Sequence, residues 1–263
     1  MVDSENTLSY GVYDLKNIIG LLRGPDGCPW DREQSHESVR RNLLEEAYEA
    51  AEAIDLSDTE LLREELGDVL MQVVFHADME ERAGNFDLDG VADAACKKLI
   101  RRHPHVFGDR SVKDSSEVLS NWENIKSDER SHGSASEEMR SVARSLPAIW
   151  RAEKIQKKAA KSGFDWPDYT GALEALRGEL SELGCAIAGE GNVAEELGDL
   201  VFSAVNLARF FGVDLEEALG RTCDKFISRF EKVESKAQSL GMRLEDMTLD
   251  EMEELYIQVK LEK

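Results

Sequence analysis

Cysteine is sparse: Cys28, Cys96, Cys185 and Cys223 are scattered over 263 residues, with no C-x-x-C pair. That spacing argues against a disulfide framework and a cysteine zinc site, and buried free thiols are expected. Proline is also scarce, with five residues, so little interrupts long helices. Positive charge is in deficit, with 32 Lys+Arg against 54 Asp+Glu and a formal charge of −22. Such a chain repels phosphate backbones, and no nucleic acid polymer is expected as a partner. No window approaches 18 uncharged apolar residues, and MVDSENTLSY lacks a basic segment followed by an apolar one. The expectation is a cytoplasmic protein without membrane association. G-x-x-x-x-G-K-[ST], G-x-S-x-G and G-x-G-x-x-G are all absent, which removes the commonest nucleotide-binding and serine-hydrolase frameworks.

What is present is helical periodicity. It predicts an all-α protein with helices over 7–22, 37–55, 58–82, 88–102, 115–128, 147–161, 169–189, 192–211, 214–240 and 248–261. The polar, Ser-rich run SDERSHGSASEEMRS reads as a linker over 127–146. It separates two helical-bundle modules, 1–126 and 147–263.

The modules read as tandem copies. CPWD at 28–31 has a counterpart in FDWPD at 164–168, EELGD at 64–68 recurs at 195–199, and CKKLIRR at 96–102 matches CDKFISR at 223–229. The offsets drift while the order holds, which is the mark of a duplication with small loop insertions.

Each copy carries two pairs of acids at i, i+3: Glu46 with Glu49 and Glu65 with Asp68, then Glu179 with Glu182 and Glu196 with Asp199. Positions three apart share a helix face. If the two helices of a module pack antiparallel, four carboxylates converge. A Glu-x-x-Glu is ordinarily a solvated face, but here an apolar run follows directly, Val69, Leu70, Val73 and Val74 in one copy and Leu200, Val201, Ala204 and Val205 in the other. The acids are therefore expected where the helix is mostly buried, and buried acids require partners. Two unit charges 4 Å apart repel by about 4 kcal/mol at an effective dielectric of 20. The cluster calls for a cation, and an all-oxygen donor set suits Mg²⁺ or Mn²⁺. Lys98 with Arg102, and Lys225 with Arg229, lie four apart on helical faces and are the candidate phosphate-binding cations.

Two motifs are set aside. NFDLDG at 85–90 opens like an EF-hand loop, but position 12 is Cys96 instead of a bidentate Glu. Glu33-x-x-His36 and Glu129-x-x-His132 match a di-iron spacing, yet one falls at a helix start and the other in the linker.

On these residues the chain resembles the MazG nucleoside triphosphate pyrophosphohydrolases of the all-α NTP pyrophosphatase superfamily, whose signature is E-E-x-x-E, a spacer, then E-x-x-D. The first module matches it in full with Glu45, Glu46, Glu49, Glu65 and Asp68; GCPWD, RRHPHVF and KSGFDWPD are also similar to the family's wording. The resemblance implies hydrolysis of nucleoside triphosphates between the α- and β-phosphates, dependence on Mg²⁺, and a homodimer with nucleotide bound between helices. It implies a base or water-holding role for Glu45. It places Trp30, Trp166, Glu195 and Tyr256 beside Lys98, Arg102, Lys225 and Arg229 as substrate contacts. The second module departs from it: Gly178 stands where the first Glu is expected, Ala175 where a Lys is common and Tyr256 where a Trp is common. A non-catalytic acidic scaffold that binds nucleotides or a protein partner is the alternative reading.

Overall fold

The computed structural model describes residues 9–118, 121, 122, 125 and 133–261, and all regular structure among them is helical. The chain divides into two compact units, Met1–Glu129 and Arg130–Lys263.

The first unit holds α1 (Val12–Leu22), α2 (Pro29–Glu33), α3 (His36–Asp55), α4 (Thr59–Ala83), α5 (Leu88–Arg102) and α6 (Pro104–Phe107). Most boundaries have a local cause. The Ser35 hydroxyl accepts from the Ser38 amide and opens α3, and the Asp58 carboxylate accepts from the amides of Glu60 and Leu61 and opens α4. Gly84, at φ 78°, closes α4 in the left-handed region. Asp87 accepts from the Gly90 amide and opens α5, so NFDLDG is a helix start. Pro29 and Pro104 sit in the first turns of α2 and α6, where a missing amide hydrogen is harmless. A short turn makes α3 and α4 a helical hairpin, and α1 and α5 pack on α4. Ile19, Val39, Val74, Phe75, Ala77 and Leu88 form the core.

In the second unit, α7 (Ala135–Arg140), α8 (Ala148–Lys161), α9 (Tyr169–Ile187), α10 (Val193–Phe210), α11 (Leu215–Ser239) and α12 (Leu249–Leu261) follow in order. Asp168, Asn192 and Asp214 cap α9, α10 and α11 with their side chains. The hairpin is now α9 and α10, with α8 against α10, while α11 packs on α12 and α8. Val74 and Val205, at equivalent places in α4 and α10, are both 1% exposed. The free thiols are not in the core as expected: Cys96, Cys185 and Cys223 are exposed on outer helix faces and Cys28 is half-buried.

Part of the stretch read as a linker is folded. Helix α7 lies within it, capped by Ser134, Glu138 bonds Lys158 of α8 at 2.8 Å, and Val142 is buried. An ion pair and one valine anchor this short helix, too little apolar content to show as periodicity. Residues 126–132, including Glu129 and His132, lie outside the described residues, as does part of the helix expected over 115–128.

Where α3 begins, His36 meets α4. Its Nδ1 lies 2.7 Å from Nδ1 of His76, its Nε2 lies 2.7 Å from Glu80, and the two rings are parallel. Only one proton fits between two Nδ1 atoms. His76 Nε2 is buried without a partner, so the satisfied state has His76 neutral, donating from Nδ1, and His36 donating from Nε2 to Glu80. Burial, then the neighbouring His36, holds the His76 pKa below its ordinary value. A depressed histidine pKa contributes stability that is present above about pH 6.5 and lost as pH falls toward the folded value. We expect His76→Leu, the residue at the equivalent position 207, to flatten the decline in melting temperature between pH 7.5 and 5.5. An unchanged slope would show that this contact does not carry that dependence.

Candidate active site

Both hairpins bring their acids together. Carboxylate oxygens of Glu46, Glu49 and Glu65 lie within 4.8 Å of one another in the first unit, as do those of Glu179, Glu196 and Asp199 in the second. Each trio therefore joins both helices of its hairpin. Asp68 and Glu182, the fourth member of each set, stand outside the closest group but within electrostatic reach. Burial raises the pKa of Glu46, reinforced by the charges of Asp68 and Glu49, a hydrogen bond with Glu49 and the charge of Glu65. Glu65 is raised by burial and by Glu49, Asp68 and Glu64. Glu196 is raised by burial and by Glu182, Asp199, Glu195 and Glu179. All eight acids thus act on one of two centres, and the mutual repulsion is what a bound cation would relieve.

The centres are shallower than the apolar runs suggest. Glu46, Glu65, Asp68, Glu179 and Glu196 are half-buried, whereas Glu49, Glu182 and Asp199 are exposed. The deep core begins one turn or more further along, at Val74 and Val205, while Val201 is 48% exposed. The donors fit a hard divalent cation in number and type: four carboxylates per centre, with neither His nor Cys.

The remaining candidates are placed less closely. Glu45 is half-buried next to Glu46, and its Oε1 accepts from Nε of Arg41 at 2.6 Å, which leaves Oε2 available. Glu195 is exposed and bears on Glu196 through its charge. Gly178, the counterpart of Glu45, has nothing beyond its own stretch of helix within 4 Å of where a Cβ would stand, so the missing acid leaves open space. The Arg102 guanidinium lies 5.8 Å from the Trp122 ring. No ion pair among the described residues involves Lys98, Lys225 or Arg229, and α11, which bears the last two, packs chiefly on α12 and α8. Tyr256 of α12 lies 5.9 Å from Phe226 against the core of that helix pair. Trp30, in α2, and Trp166, in a turn, are both exposed in the segments before the first acidic helix of each unit.

Sequence reasoning overlooked two charged arrays that anchor those segments. Arg23 bonds Asp78 of α4 and the carbonyl oxygens of Asp31 and Gln34, and Arg209 of α10 bonds Asp165. The signal was available in the duplication, because Asp78 and Arg209 occupy the same place relative to EELGD.

The MazG nucleotide pyrophosphohydrolase domain matches this chain twice, over 34–107 and 168–234. The chain belongs to the MazG family. Each match encloses one acidic hairpin and one basic pair, while Trp30 and Trp166 lie just outside and Tyr256 lies well beyond the second match. The chain is 43% identical over 251 residues to a nucleoside triphosphate pyrophosphohydrolase of Escherichia coli K12, covering 94% of this chain and 95% of that one. It is 42% identical over 247 residues to the nucleoside triphosphate pyrophosphohydrolase/pyrophosphatase MazG of Thermotoga maritima, covering 94% of each. Similarity to the uncharacterized YabN of Bacillus subtilis, 44% over 262 residues, covers 98% of this chain and 53% of YabN. Each acidic centre thus lies inside one MazG domain match.

Proposed function

We propose that this protein is a Mg²⁺-dependent nucleoside triphosphate pyrophosphohydrolase that cleaves between the α- and β-phosphates, releasing nucleoside monophosphate and pyrophosphate. The observation that carries the reading is the convergence of carboxylates from both hairpin helices, twice in one chain. Glu46, Glu49, Glu65 and Asp68 in the first unit, and Glu179, Glu182, Glu196 and Asp199 in the second, hold Mg²⁺, with Mn²⁺ an acceptable substitute. When bound, the cation neutralises the triphosphate and polarises its oxygens.

The chain's own groups do the rest. Glu45, fixed through Oε1 by Arg41, takes the proton of the attacking water at Oε2. The water oxygen bonds to phosphorus as the α–β bridging bond breaks, and the electron pair leaves with the departing phosphate group. Lys98 with Arg102, and Lys225 with Arg229, bind phosphate oxygens, and Trp30, Trp166 and Tyr256 offer aromatic faces to the nucleoside. Gly178 withholds the corresponding base from the second unit, so the first unit turns over faster. A scaffold without turnover is disfavoured because the acids of both units still converge despite Gly178.

No helix among the described residues is long and apolar enough to cross a membrane, and we place the enzyme in the cytoplasm with its nucleotide substrates. Leu180, Leu197, Val201 and Phe202 are exposed on the second hairpin, which supports a homodimer that covers them.

Release of pyrophosphate from mixed nucleoside triphosphates, with and without Mg²⁺, tests the reaction. Stability tests the cation separately. Glu46, Glu65 and Glu196 sit above the usual carboxylate range in the cation-free protein. Folding therefore takes up protons there, and cation-free stability declines as pH rises above the ordinary Glu value. A cation binds the ionised forms and competes with those protons. Saturating Mg²⁺ should raise the melting temperature more at pH 7.5 than at pH 5, read by calorimetry against EDTA. No gain at either pH would rule out the cation site.

A further inference from the structure

In both units a tryptophan-bearing segment, the short helix α2 in the first and a turn in the second, precedes the first acidic helix, and a charge on the second acidic helix ties that segment down. Asp78 does so in the first unit, ten residues beyond Asp68, through Arg23. In the second unit Arg209, ten residues beyond Asp199, binds Asp165 directly: Nη1 to Oδ2 at 2.9 Å and Nη2 to Oδ1 at 2.5 Å. The charges are reversed and the bonding differs, while the part held in place is the same. Asp165 immediately precedes Trp166. On the other side, the Trp166 ring lies so close to Gly171 that a Cβ there would stand 2.5 Å from it. The residue before the indole is tied down and one side of the ring lies against Gly171, yet the tryptophan is 47% exposed.

Position along α9 gives that rigidity a use. Gly171, Ala175, Gly178 and Glu182 follow one another at i, i+4, i+7 and i+11, a single helical stripe. Trp166 stands at its head and the acidic centre at its far end. At 1.5 Å per residue, Gly171 and Glu179 are about 12 Å apart along the axis, a span suited to an extended nucleoside triphosphate. Between them Gly178 projects no side chain.

We propose that Asp165 and Arg209 are positioning residues, with Gly171 as the seat of the ring: together they hold Trp166 as the platform on which the nucleoside of the substrate rests while its phosphates reach the second acidic centre. This rests on the functional reading above. The guanidinium of Arg209 is itself braced by Asn206 Oδ1, at 2.9 Å from Nη2, and it lies over the Phe210 ring at 4.7 Å. Its bond holds the Asp165 carboxyl below the usual range, so the pair stays ionised at neutral pH.

The test uses the full chain carrying Glu46→Gln, so that the second unit is read. Asp165→Ala, Arg209→Ala and Trp166→Ala should each raise KM for a nucleoside triphosphate about tenfold, the scale of one base–aromatic stack, with kcat within about twofold. Inhibition by inorganic tripolyphosphate, which has no nucleoside, should be unchanged. The charge-reversed pair Asp165→Arg with Arg209→Asp should recover most of the lost affinity. An unchanged KM overturns the proposal. So does weakened tripolyphosphate inhibition in step with KM, which marks general damage, or an affinity that the reversed pair leaves unrecovered. Quenching of tryptophan fluorescence by an α,β-methylene nucleotide analogue reads the same pattern without turnover. Absent pyrophosphate release with the quenching pattern intact would refute the hydrolase reading and leave the platform standing.

Discussion

Glu46→Gln and Glu179→Gln combined are expected to lower pyrophosphate release at saturating Mg²⁺ by about 100-fold or more. Cation polarisation contributes several kcal/mol to such reactions, and each 1.36 kcal/mol is a decade in rate. Glutamine keeps the shape and one oxygen but removes the charge that holds the cation. The single variants should differ. Glu46→Gln should remove more than half of the turnover and Glu179→Gln less, because Glu45 beside Glu46 has no counterpart at Gly178. A larger loss from Glu179→Gln would move the main activity to the second unit, and a double variant retaining a tenth of the turnover would refute the acidic centres as the site. Unfolding is distinguishable from lost chemistry. Glu46 is held above the usual range by burial and by Asp68, Glu49 and Glu65, so neutralising it relieves repulsion in the cation-free protein. Its melting temperature in EDTA should hold or rise while activity falls.

The hairpins were legible in the sequence because their cause is local. Acids three apart share a face wherever a helix forms, and Ser35, Asp58, Asp168 and Asn192 mark where α3, α4, α9 and α10 start. The depth of the acidic centres was not legible. Periodicity identifies the apolar stripe of α10 but not what covers it, and Val201 and Phe202 are exposed while Val205 is sealed. The basic pairs show the same limit: i, i+4 spacing puts Lys225 and Arg229 on one face of α11, whereas packing on α8 and α12 decides where that face points. Helix α7 was hidden because Glu138 and Lys158, which fix it, are polar.

The ties beneath the tryptophan-bearing segments depend on partners distant in the chain, and in the first unit they also bear on stability. Arg23 and Asp78 are 55 residues apart in sequence and bond at 2.8 Å, with side chains only 7% and 10% exposed. Asp78 also accepts from Arg82 at 2.6 Å, and Arg23 lies over the Phe75 ring at 4.6 Å. Arg82 is more exposed, so water can replace its partner. Arg23 has no such recourse. Asp78→Ala would leave its guanidinium buried beside an aromatic ring, with only the carbonyl oxygens of Asp31 and Gln34 to satisfy it. Removing one partner of a buried ion pair costs about 3–5 kcal/mol, whereas replacing both with apolar residues of similar volume is far milder. Asp78→Ala should therefore lower the unfolding transition of the first unit, and Asp78→Leu with Arg23→Met should recover much of the loss. Calorimetry on the full chain reads the loss as a lower unfolding temperature and its recovery in the double variant. A loss below about 1 kcal/mol would mean that Arg23 reaches solvent, the range expected of an exposed pair.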